Sequence, residues 1–120
     1  MDASEYVKAV RTEILTDDFN YYLNDLFSDA VSTEDWTDQS WIESHKLYLS
    51  LNEEQKKQLK ICIKLMMRNV ISTIFSKFDN VSCFEEQGGD FEVRLNNKVI
   101  SGDLQDLFWA QEEEEEEEGK

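Results

Sequence analysis

Few side chains in this sequence are equipped for chemistry. His45 is the only histidine, and Cys62 and Cys83 are the only cysteines. A general base needs an oriented partner and a pocket. Glu43 and Asp38 are its only near acidic neighbours in sequence, so His45 reads as a helix-surface or core histidine. The two cysteines have neither metal-site nor redox spacing, and are expected as two buried thiols of a reducing compartment. Asp17, Asp18, Asp25, Asp29, Glu34, Asp35 and Asp38 supply carboxylates for a hard cation. They lack the twelve-residue loop with its Gly and closing Glu, so a solvated acidic face is expected. Gly88-Gly89 precedes no Lys-Ser/Thr and opens no helix, which fits a hairpin turn and not a phosphate loop. No catalytic residue, cofactor or metal ligand is assigned.

Charge is the remaining signal. The chain carries −15 over 120 residues, unevenly spread. Residues 1–51 hold −8, residues 52–78 hold +4, residues 79–111 hold −5, and residues 112–120, with seven consecutive Glu, hold −6. Lys56, Lys60, Lys64 and Arg68 recur every fourth residue and form one helical row. An overall charge of −15 opposes contact with a phosphate backbone, so direct nucleic-acid binding is not expected. Internal pairing with the acidic helices of residues 1–51 is expected instead. The acidic stretch also carries large rings. Asp18, Tyr21, Asp25, Asp29, Glu34, Asp35, Trp36, Asp38 and Trp41 make a candidate surface for a basic protein. Carboxylates would steer the encounter and a few aromatic anchors would supply affinity.

The elements that must position these residues follow from periodicity. Asn52 to Phe78 is the longest aliphatic-rich stretch and starts with a capping box, Asn52 and Gln55. It is expected as a central helix covered by the other elements. Its first half would bury Leu59, Cys62, Ile63, Leu65 and Met66, and its second half Val70, Ile71, Ile74, Phe75 and Phe78. Asn69, Ser72, Thr73 and Ser76 would face water. Upstream, a first helix from a Ser4 cap to Leu15 and a second behind Thr16-Asp17-Asp18 are expected, kinked or continuous. The second shows Phe19, Tyr22, Leu23, Leu26, Phe27 and Ala30 on one face. Ser32 to Gln39 reads as a loop, with Thr37 or Asp38 capping a third helix that buries Trp41, Ile42, His45, Tyr48 and Leu49.

After Phe78 the period falls to two. Val81 to Glu85 and Phe91 to Leu95 read as strands, and Asn96-Asn97 as a type I′ turn into Lys98 to Ser101. A two-residue loop pairs Val93 with Ile100. Leu104 to about Ala110 closes the domain as a short helix, and the acidic run from residue 112 is expected as a mobile tail. The fold class is therefore α+β: one domain over 1–111, with N-terminal helices and a long central helix on a small antiparallel sheet. The tail would occupy 112–120.

No segment is apolar over a membrane's thickness, and the acidic N-terminus has no leader-like apolar run, which points to the cytoplasm. In charge and size alone the chain is similar to small acidic antagonists such as toxin-immunity proteins and phage DNA mimics. That similarity implies a non-enzymatic module that neutralises a basic toxin or nuclease. The alternatives are a DNA mimic competing for a DNA-binding protein and a small cytosolic enzyme.

Overall fold

The structure, a computed structural model, describes residues 1–118. It is mostly helical, with one two-stranded antiparallel sheet. Helix α1 spans Ala3–Val10, and the chain continues as helix through two wide-turned π segments, Arg11–Asp18 and Tyr21–Leu26. Helix α2 is Gln39–Ser50 and α3 is Glu53–Phe78. Strands β1 (Arg94–Leu95) and β2 (Lys98–Val99) form a hairpin, and α4 spans Leu104–Glu118.

The wide turns have a reason in the sequence. Along this N-terminal rod Val7, Arg11, Leu15, Phe19, Leu23 and Phe27 recur every fourth residue, and all but Arg11 are buried. An α-helix of 3.6 residues per turn rotates such a repeat off one face by roughly 40° per step. An i→i+5 turn rotates it the other way. Alternating the two keeps the stripe straight, so a single face of the rod can lie along α3.

The matching stripe on α3 also has a repeat of four: Leu59, Ile63, Met67, Ile71 and Phe75. Two core clusters result. Val7, Leu15, Ile71, Phe75, Leu104 and Phe108 join the rod, α3 and α4. Phe19, Leu23, Phe27 and Tyr48 join the rod and α2, with Leu59 and Ile63 of α3 packed on them. Met67 touches both clusters. Each fully buried side chain of this kind contributes about 1.5–3 kcal/mol, so both depend on the inward face of α3.

Helix ends behave as their residues dictate. Asn52 and Gln55 form the reciprocal capping box, at 2.8 and 3.0 Å. The Asp38 carboxylate accepts from Ser40 N at 2.8 Å and caps α2. At α1 the cap is Asp2, which accepts from Glu5 N at 2.8 Å, and not the expected Ser4. A carboxylate cap two residues earlier gains the helix dipole as well as the hydrogen bond. No side-chain cap forms at Thr16-Asp17-Asp18, because the rod does not break there. Helix α4 is capped from a distance: the Asp79 carboxylate accepts from Gly102 N at 2.6 Å and Gln105 N at 2.8 Å.

Several expectations are corrected. Helix α3 is covered on one side only. Ile61, Cys62, Leu65, Met66, Val70 and Ile74 lie exposed, while Ser72 and Ser76 are buried. Ser72 faces α4, where its Oγ accepts from Trp109 Nε1 at 2.8 Å and Gln105 Nε2 at 3.0 Å. Lys64 and Lys56 meet rings of the rod and α2 and not their carboxylates, lying over Phe19 and Tyr48. Both cysteines are exposed. Tyr22 faces out from the rod, Ala30 is exposed in the turn beyond its end, and Trp41 and Leu49 face out from α2.

The C-terminal half departs further. No strand forms at residues 81–85. The hairpin keeps the expected register, since Ile100 N donates to Val93 O at 2.9 Å, but both its strands are exposed and α3 does not cover them as a layer. Helix α4 runs on through the acidic stretch to Glu118, across the boundary expected at residue 111. The last two residues of the expected mobile tail, Gly119 and Lys120, lie outside the described residues.

Candidate partner-binding surface

The candidate residues are carried by the last residue of the first π segment, the second π segment, the link after it and the first turn of α2. Asp18 and Asp25 each lie three or four residues from the adjacent Tyr21 and Tyr22, and all four are exposed on the rod. Trp41 comes from the first turn of α2, whose direction is set by the Asp38 cap beside it, with Trp41 N lying 3.4 Å from the same carboxylate oxygen.

The rings form a continuous ladder. Tyr21 and Tyr22 have centroids 5.6 Å apart, Tyr22 and Trp41 5.5 Å, and Trp41 and Phe27 5.8 Å. Below them Phe27 meets His45 at 6.1 Å and Tyr48 at 6.0 Å in the second core cluster. The ladder therefore has a rigid foot in the core and an open top, where Tyr21 is 52% exposed. Offset and tilted rings at these distances attract each other beyond their burial. They present a pre-ordered aromatic ledge to solvent.

Asp18 and Asp25 stand beside the two tyrosines along the rod, and further carboxylates follow on the link to α2. Asp18, Asp25, Asp29, Glu34 and Asp35 are all exposed. Among the described residues none of them has a cationic partner within 4 Å. Two candidates have other work. Trp36 is half-buried, edge-on to the His45 ring at 5.4 Å and packed against the second cluster. Asp38 is spent on its cap. Periodicity puts Tyr22 on the buried face of the rod, as it does Trp41 on that of α2, and both are exposed. The place of Tyr22 in an i, i+4 apolar pattern hid it, and only the wide turns move it outward.

The other candidates fall into structural roles. His45 is buried, with Nε2 3.4 Å from Ser28 O and its ring between Phe27 and Trp36. Among the described residues no group of three His, Cys, Asp or Glu is arranged to hold a metal ion. No buried side-chain nitrogen or oxygen among them is left without a partner.

A cleft of about 650 Å³ lies between the rod, α3 and α4, where Lys8, Arg11, Lys64 and Arg68 face the Glu run. Arg11 Nε donates to Glu112 at 2.8 Å, its Nη2 pairs with Glu115, and Arg68 lies 3.5 Å from Glu112. Of the basic row only Arg68 pairs with the C-terminal helix; Lys56 meets Glu53 and the Tyr48 ring, Lys60 donates to Asn24 and Lys64 lies over Phe19, so the expected pairing of the row with carboxylates of residues 1–51 is not what these contacts make. The Arg11 and Arg68 pairs offset the mutual repulsion of the Glu run and explain why the helix persists there. Neither His nor Cys lines this cleft. No helix among the described residues is long and apolar enough to cross a membrane. In comparison with known proteins, the chain matches no family model, no curated protein and no solved structure.

Proposed function

We propose that this chain is a non-enzymatic protein-binding module that takes a basic partner on the Tyr21–Tyr22–Trp41 ledge. A single observation carries the reading: a ladder of touching rings, anchored in the core and open at its top, is flanked on the rod by Asp18 and Asp25, which have no cation of their own. Exposed aromatics fixed before binding lose little rotamer entropy, which is what anchor residues need. These unpaired carboxylates, with those on the link to α2, raise the association rate of a positively charged surface and disfavour acidic ones. A toxin or nuclease with a basic active face has the right chemistry. Neutralising it would need only occlusion.

The test is capture from native cell extract at low and at high ionic strength. Three baits are compared: the wild-type chain, Tyr21→Ala/Trp41→Ala, and Asp25→Lys/Asp29→Lys/Asp35→Lys. Asp38 is left intact because of its cap. A basic protein retained by wild type at low salt, released at high salt and lost from both variants is the expected result. Retention that ignores both variants would sink the proposal.

A further inference from the structure

The face of α3 turned away from the core is the least explained feature of the molecule. Ile61, Leu65, Met66, Val70 and Ile74 are between 46% and 67% exposed, and Cys62 is exposed among them. The run holds no charged residue, since Lys60, Lys64 and Arg68 all turn toward the rod and α4. Its two polar members are turned back on their own helix: Asn69 Nδ2 donates to Leu65 O and Thr73 Oγ1 to Asn69 O, both at 2.9 Å. An uncharged strip about 20 Å long, in a chain of −15, is not a surface arranged for solubility.

The surface total agrees. A compact chain of 14.1 kDa exposes about 6,700 Å², whereas this one exposes 8535 Å². Part of the difference is the projecting polar end of α4. The whole difference, about 1,800 Å², is roughly twice the 800 Å² that each partner buries in a stable interface. The radius of gyration, 17.7 Å, likewise exceeds the roughly 14 Å of a compact chain this long.

We infer that this strip is where a second copy of the chain docks, with the two α3 helices antiparallel about a twofold axis. The strip has two unlike halves. Ile61, Cys62, Leu65 and Met66 project. Asn69, Val70, Thr73 and Ile74 line a shallow apolar dimple of about 270 Å³. A twofold axis between Met67 and Arg68 sets each projecting half into the dimple of the other copy, with Leu65 opposite Val70 and Ile61 opposite Ile74. Such a surface is complementary to itself, as a closed dimer requires. Both halves follow rows of four, and two such rows interdigitate at a crossing of about 50°. The interface is free of charge, so the acidic faces of both copies stay in water and repel only at long range. Salt therefore tightens this dimer, the opposite of its effect on a complex with a basic partner.

Sedimentation equilibrium tests it, up to about 100 μM chain. The wild type is expected at twice 14.1 kDa, and more completely as salt rises. Val70→Asp sets a carboxylate against Leu65 of the second copy and raises the dimer dissociation constant at least ~100-fold. Its monomer keeps the wild-type circular dichroism, because position 70 is exposed. Leu65→Cys/Val70→Cys, made with Cys62→Ser and Cys83→Ser, cross-links to a covalent dimer on oxidation. Tyr21→Ala leaves the dimer unchanged, which separates this interface from the ledge. A monomeric wild type overturns the inference, whether its strip then takes up neutral phosphatidylcholine vesicles or another protein. So does a dimer indifferent to Val70→Asp, or one that the paired cysteines fail to link.

Discussion

Replacing Arg11 with Gln asks most of the contact between the rod and α4. The Arg11 side chain is 12% exposed and that of Glu112 is 11% exposed, and they meet at 2.8 Å. Removing one partner of a fully buried pair costs roughly 3–5 kcal/mol, because the other charge is left stranded. Here Arg68 remains 3.5 Å from the same carboxylate and relieves part of that cost. The Glu115 contact ends on a side chain 67% exposed and adds little. The expected loss is about 2 kcal/mol, a fall of about 8 °C in Tm for a chain of this length. Urea unfolding followed by circular dichroism measures it. A double-mutant cycle with Glu112→Gln then isolates the pair: Arg11→Gln/Glu112→Gln should be more stable than Arg11→Gln alone, since no buried carboxylate is left. Strict additivity, or a loss below about 0.5 kcal/mol, would refute the idea that this pair holds the acidic helix in place.

Two further outcomes follow from the helix starts. Asp38→Ala removes the α2 cap and should cost about 1 kcal/mol, measured by the same unfolding titration; it should also disturb the near-ultraviolet signal of Trp41, whose amide shares that carboxylate. Asp2 is held below the usual carboxylate range, chiefly by the hydrogen bond from the Glu5 backbone amide. A depressed folded-state pKa stabilises the fold above the unfolded value and ceases to do so as pH falls through the folded one. The first turn of α1 should therefore fray only in acid, seen as faster exchange of the Glu5 amide, and Asp2→Asn should flatten that dependence.

Where local chemistry settles a structure, the sequence was legible. The Asn52–Gln55 box, the Asp38 cap, the Asn96-Asn97 turn and the pairing of Val93 with Ile100 all depend on residues within a few positions of each other. Which face of α3 is buried does not. Four cations in one row point to carboxylate partners on the acidic helices, yet an ammonium is also attracted to an aromatic face, and those of Lys56 and Lys64 lie over the Tyr48 and Phe19 rings. Ser72 and Ser76 looked solvated and are buried because Trp109, Gln105 and Ser82 supply partners. The Glu run looked mobile because Arg11, about a hundred residues away in sequence, cannot be placed beside it from periodicity. On the ledge, Tyr21 and Trp41 were recognisable as large rings amid carboxylates. Tyr22 was not, since it depends on a wide helical turn that no short motif announces.

The most direct measurement is an amide-resolved NMR footprint of the isotope-labelled chain, taken with and without the captured basic protein. Shifts confined to residues 18–41, led by Tyr21, Tyr22 and Trp41 and leaving residues 61–74 as they were, are what the ledge predicts. Shifts on α3 or the Glu run with the ledge silent would contradict it.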